Sequence, residues 1–187
     1  MERTAMKYLD AWKDKTSRKP LIIRGARQVG KTWLIKEFAK RRYSQIAYVN
    51  FESSGFLKNL FQDDFDINRI ISAIQIETGI RISAENTLII LDEIQEAEGG
   101  ITSLKYFCEN APEYHIIAAG SLLGVSLHKN TSFPVGKVEF LDLYPFSVNE
   151  FLLAMGKDDL LGLIETSDWK IIRSFKTKYS NLLKQYY

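Results

Sequence analysis

Eight consecutive residues, Gly25-Ala26-Arg27-Gln28-Val29-Gly30-Lys31-Thr32, constrain this chain more than any other stretch. They follow a short apolar run, Leu21-Ile22-Ile23, and precede Trp33-Leu34-Ile35-Lys36-Glu37-Phe38-Ala39-Lys40, which reads as a helix. A buried strand, a glycine-rich loop and a helix in that order form the phosphate-binding P-loop, G-x-x-x-x-G-K-[ST]. The glycines let the backbone wrap closely around an anion, so that successive N–H groups point inward. The helix that begins near Lys31 adds the positive end of its dipole. Lys31 would then reach the β- and γ-phosphates of a nucleotide, and the Thr32 hydroxyl would ligate Mg²⁺. The expected nucleotide-binding set is Gly25, Ala26, Arg27, Gln28, Val29, Gly30, Lys31, Thr32 and Trp33.

The length of 187 residues fits one α/β domain with a small helical appendage, and can bury a real core without a disulfide or metal staple. Cys108 is the single cysteine, which excludes an intramolecular disulfide and a cysteine-rich zinc cluster. A formal net charge of +2 gives no argument for nucleic acid. The first residues lack the apolar core of a signal peptide and no apolar run approaches a membrane span, so the expected location is the cytoplasm.

Met6, Leu9 and Trp12 suit an amphipathic leading helix over 4–15. Further strands are expected at 46–51, 87–91, 115–119 and 138–141, with helices over 66–78 (capped by Asp66), about 101–110 and 147–155. Near-continuous apolar strands alternating with helices imply a parallel sheet covered on both faces. Ser147 and Glu150 have the spacing of a capping box. From Asp168, the residues Ile172, Phe175, Tyr179, Leu182 and Tyr186 recur at helical intervals. The opposite face holds Lys170, Arg173, Lys176, Lys178 and Lys184, either a solvated face or a basic docking surface.

The run Leu88-Ile89-Ile90-Leu91-Asp92-Glu93 places two carboxylates where a buried strand ends, the edge at which ligands bind in open α/β sheets. Asp92 there can hold Mg²⁺, and Glu93 can polarise the water that attacks a γ-phosphate. Ser121 follows the next apolar strand; its hydroxyl either contacts that phosphate or belongs to an ordinary turn. Arg24, Arg27 and Lys137 are candidates for stabilising phosphate charge and equally read as surface cations. His115 and His128 lack metal-ligand spacing, and Asp63-Asp64-Phe65-Asp66 lacks the calcium-loop pattern.

The segments Leu21–Thr32, Tyr48-Val49-Asn50-Phe51-Glu52, Leu91-Asp92-Glu93-Ile94-Gln95, Ala119-Gly120-Ser121-Leu122-Leu123 and 143–152 resemble, in order, a group of prokaryotic AAA+-type ATPases. The resemblance implies a three-layer P-loop NTPase sandwich with a five-stranded sheet, the P-loop strand central and the sensor strand beside it. It implies ATP or ADP with Mg²⁺ as ligands, and Ser121 as the residue that senses the γ-phosphate. The same resemblance divides the chain into an ATPase core, 1–145, and a helical extension, 146–187, where relatives continue into a C-terminal domain. That extension is expected to leave part of its apolar face uncovered, inviting self-association. One departure is Gly136-Lys137, where family members carry Gly-Arg; lysine keeps the charge of a finger in trans but loses the bidentate fork.

The expected activity is Mg²⁺-dependent ATP hydrolysis coupled to a shape change in a partner or C-terminal domain. Lys31, Glu93 and Ser121 would be catalytic, and Thr32 and Asp92 would be the metal ligands. The competing readings are a nucleotide-binding switch with negligible turnover and a DNA-associated regulator using the basic tail.

Overall fold

The run Leu21-Ile22-Ile23 becomes β1 (Leu21–Arg24), with its apolar residues buried on both faces. In this computed structural model, which describes residues 3–55, 57–62, 64–121 and 134–186, β1 is one of five parallel strands. The others are β2 (Gln45–Asn50), β3 (Thr87–Asp92), β4 (His115–Gly120) and β5 (Glu139–Asp142). Their order is β2-β3-β4-β1-β5. The expected parallel sheet is therefore present, but β1 is not the middle strand. The strand expected to carry the sensor, β4, takes that place, and β1 lies between β4 and β5.

Alternation along the strands divides the core into two layers. Ile22, Val49, Ile89, Leu91, Ile116 and Ala118 face α3 (Ile67–Thr78) and α4 (Gly100–Asn110). Leu21, Ile23, Leu88, Ile90, Ile117 and Ala119 face α1 (Ala5–Lys13) and α2 (Lys31–Arg42). In α1, Met6, Leu9 and Trp12 are buried, as their spacing predicts. Asp66 caps α3 by accepting from the Arg69 amide at 2.9 Å.

Beyond β5 the chain forms α5 (Val148–Ala154), α6 (Asp158–Glu165), α7 (Trp169–Ser174) and α8 (Lys176–Tyr186). Leu152, Leu160, Leu161 and Leu182 make a small core of their own. Two details differ from the sequence reading: α6 was not expected, and the tail is two helices rather than one. At Phe175 the amide is shared between the Ile171 and Ile172 carbonyls, which tightens the turn and separates α7 from α8. Among the described residues no helix is long and apolar enough to cross a membrane.

Candidate functional site

Because all five strands run the same way, the loops that follow them collect at one sheet edge. Arg24 pairs in register with Gly120 and Asp142, and Asp92 with Asn50 and Ala119. The 25–32 loop, Asp92-Glu93 and Ser121 thus meet although they are distant in sequence.

The loop is shaped by a close approach and by turned backbone. A Cβ on Gly25 would lie 2.3 Å from the Leu143 carbonyl oxygen, so only glycine fits where β1 leaves the sheet. Gly30 has φ 91° and starts α2 without a side-chain cap. The amino end of α2 therefore opens toward the loop, where an anion would complete it. Val29 turns into the core and offers its backbone alone, whereas Ala26, Arg27 and Gln28 are exposed. Lys31 is only 7% exposed, and its Nζ donates to the Gly25 and Ala26 carbonyls at 3.0 and 2.8 Å. Burial holds its pKa below the usual lysine value, partly offset by the Glu93 and Asp92 charges.

Asp92 ends β3 at 3% exposure. Its Oδ2 accepts from the Thr32 hydroxyl at 2.9 Å and from the Tyr48 hydroxyl at 2.8 Å, and its Oδ1 from the Glu93 amide at 3.2 Å. Burial, with the Asp92 hydrogen bond, pushes the Tyr48 pKa up to about 12. Glu93 adopts left-handed backbone, φ 50° and ψ 45°, which costs a non-glycine residue about 1–2 kcal/mol. Such strain is characteristic of functional sites. The Glu93 carboxylate accepts from Gln95 Nε2 at 2.5 Å and, at the limit of hydrogen-bond distance, from the Ser121 amide and hydroxyl at 3.4 and 3.5 Å.

Lys31, Thr32, Glu93 and Ser121 border a cleft of about 420 Å³, whose walls also include Arg27 and Trp33. A second hollow of about 520 Å³ shares the loop and Trp33, and is closed by Arg3, Pro145 and Phe146. There the Arg3 guanidinium lies 5.5 Å from the Phe146 ring centroid and pairs with Glu150 at 3.2 Å. Glu150 also completes the Ser147 capping box expected from sequence. Burial works to raise the Glu150 carboxyl pKa, but the Ser147 and Thr4 amides and the Arg3 charge outweigh it and hold it low.

The donor set fits the groups the sequence suggests. Thr32 and Asp92 offer neighbouring oxygens, a hard-ligand pair that would suit Mg²⁺. No group of three or more His, Cys, Asp or Glu among the described residues makes a closed metal cage. The open loop with its lysine fits a polyphosphate.

Other sequence candidates fall elsewhere. Arg24 is committed to a bidentate pair with Asp142, both contacts 2.8 Å, and lies 4.3 Å over the Phe140 ring. Lys137 pairs with Glu109 at 2.9 Å just before β5, at the edge of the sheet opposite the cleft. His115 is buried on the Tyr43 hydroxyl at 2.6 Å and is structural. His128, Asp63 and the Leu122-Leu123 end of the sensor phrase lie outside the described residues. The five cations of the tail are all exposed. Sequence reasoning gave no chemical role to Tyr48, Glu52, Gln95, Arg3, Pro145 or Phe146. All of these but Arg3 stood inside the family-like phrases, the one signal that pointed to them.

A family model described as "AAA domain" matches residues 17–152. Among solved structures, PCH-2 of C. elegans aligns at 15% identity and a TM-score of 0.48, over 87% of this chain and 46% of its own. The Aeropyrum pernix ORC1 protein, solved in complex with DNA, aligns at 14% identity and a TM-score of 0.48, over 82% of this chain and 47% of its own. The chain spans less than half the length of either structure. No curated protein matches it.

Proposed function

The chain belongs to the AAA domain family, and on that premise we propose that it binds ATP on the 25–32 loop and hydrolyses it with Mg²⁺. The observation that carries this reading is the hydrogen bond between Thr32 and the buried Asp92, with Glu93 opening onto the same cleft. A bare phosphate cradle needs neither carboxylate, and a hydrolytic site needs both.

In this reading Lys31 leaves the Gly25 and Ala26 carbonyls and moves its charge to the β- and γ-phosphates. Thr32 and Asp92 would hold Mg²⁺, which would supply positive charge against the phosphate oxygens. Glu93 accepts a proton from the attacking water, and Ser121 donates to the γ-phosphate or orients that water. Arg27 faces the cleft as a further cation. The hollow bordered by Arg3, Val29, Trp33, Pro145 and Phe146 takes the base. Pro145 and Phe146 lead directly into α5, so a change at the nucleotide would be passed to the 146–187 extension and from there to a partner. Lys137, facing away from its own cleft, could serve only a neighbouring copy.

A second reading, a nucleotide switch with negligible turnover, is favoured by one observation. The Glu93 carboxylate is engaged by Gln95 and lies at bonding range of Ser121. Phosphate release from ATP with Mg²⁺ separates the two, measured beside Glu93→Gln with ATP binding followed in parallel. We expect release from the wild type to exceed the variant by about 100-fold or more, the usual worth of a positioned general base, with binding retained by both. If both bind ATP and release no phosphate, hydrolysis is excluded and the switch stands.

A further inference from the structure

Asp92 is held by more than the proposed metal site requires. Beside Thr32 it has a second hydroxyl partner, contributed by edge strand β2. Tyr48 pairs in register with Ile90, two residues before Asp92, and its side chain shares the α2 face of the sheet with Ile90. From there its hydroxyl reaches Asp92 Oδ2 at 2.8 Å, the same oxygen that Thr32 approaches at 2.9 Å. The ring is fixed in turn by Lys36, whose Nζ lies 3.8 Å from the ring centroid. Lys36 is one helical turn beyond Thr32 on α2, so α2 supports both hydroxyls that converge on the carboxylate.

Resting on the reading of Thr32 and Asp92 as the metal pair, we propose that Tyr48 is the positioning residue of this site: it locks the Asp92 carboxylate for Mg²⁺. A carboxylate with a single hydroxyl partner can rotate and turn an oxygen toward the nearby Lys31 charge. Two hydroxyl donors on Oδ2 and the Glu93 amide on Oδ1 fix its plane. One acceptor site of the carboxylate, on Oδ1, then stays free and held in a fixed direction for a ligand. Donors that orient a ligating group in this way usually account for 10- to 100-fold in metal affinity. Tyr48 touches neither nucleotide nor metal and acts only through Asp92.

The test is the affinity for ADP by titration calorimetry, in EDTA and in saturating Mg²⁺, with thermal melting of each protein recorded. Wild type is expected to bind ADP more tightly with Mg²⁺. Tyr48→Phe keeps the ring and the Lys36 contact; it is expected to lose about tenfold of that gain, with affinity in EDTA and melting unchanged. In an Asp92→Asn background the same substitution is expected to add no loss. If Tyr48→Phe retains the full Mg²⁺ gain, the proposal is overturned while the reading of the metal pair stands. Equal weakening in Mg²⁺ and EDTA assigns Tyr48 to packing and overturns it too, as does a further loss in the Asp92→Asn background. A wild type indifferent to Mg²⁺ removes the metal pair and the proposal together.

Discussion

At Gly25 a single hydrogen atom decides whether the loop can form. An alanine methyl there meets the backbone oxygen of Leu143, which cannot swing aside as a flexible side chain would. Overpacking of this kind costs about 1–3 kcal/mol. Gly25→Ala is therefore expected to lower the melting temperature and abolish nucleotide binding. A Cβ on Gly30 meets nothing within 4 Å, so Gly30→Ala pays only for its left-handed backbone and melts closer to wild type. Differential scanning fluorimetry with and without ADP separates the two. Residues of this kind are legible in a sequence because the chemistry demands one residue type at one spacing. Asp92 and Glu93 were legible for the same reason, both following an apolar run. Tyr48 was not: its bond to Asp92 spans 44 positions and depends on the pairing of β2 with β3, which no local pattern encodes.

Periodicity identified the five strands and the helices of the sandwich, and their ends moved by only one or two residues. Strand order did not follow from it, since an apolar run reads the same in the middle of a sheet as one place aside. The break at Phe175 was equally invisible: the spacing of Ile172, Phe175, Tyr179 and Leu182 suits one helix, yet only the second half is drawn onto α5 and α6. A buried histidine gives this scale its prediction. His115 starts β4 and is bonded to Tyr43, which ends α2, so the pair ties strand to helix. Burial, followed by the Arg18 and Lys13 charges, holds the His115 pKa at about 4, below its ordinary 6.5. The folded state thus binds fewer protons than the unfolded chain between those values. Its contribution is complete above pH 6.5 and is lost as pH falls toward 4, by up to about 3 kcal/mol. Urea unfolding at several pH values is expected to show that slope, flattened in His115→Gln.

For the whole molecule, ligand and fold are linked by mass action. At 100 times its dissociation constant, a nucleotide that binds only the folded chain adds about 2.7 kcal/mol. For a chain of this size that raises the melting midpoint by roughly 5–11 °C. Glu93→Gln is expected to keep this rise and Lys31→Ala to lose it, measured by calorimetry with ADP and Mg²⁺.

The contact of Arg3 and Thr4 with Glu150 also fixes an order of events during synthesis. The Thr4 amide finds its partner 146 residues later, and the Arg3 guanidinium finds Glu150 and the Tyr144 carbonyl in the same region. Nascent chains fold from the amino end as they leave the ribosome. Here, however, Arg3 and Thr4, the two residues that lead into α1, find their partners only once α5 has emerged. The hollow walled by Arg3 on one side and Phe146 on the other, proposed above to take the base, is then among the last parts of the protein to close. A stalled or shortened product would carry the 25–32 loop but not a finished nucleotide pocket.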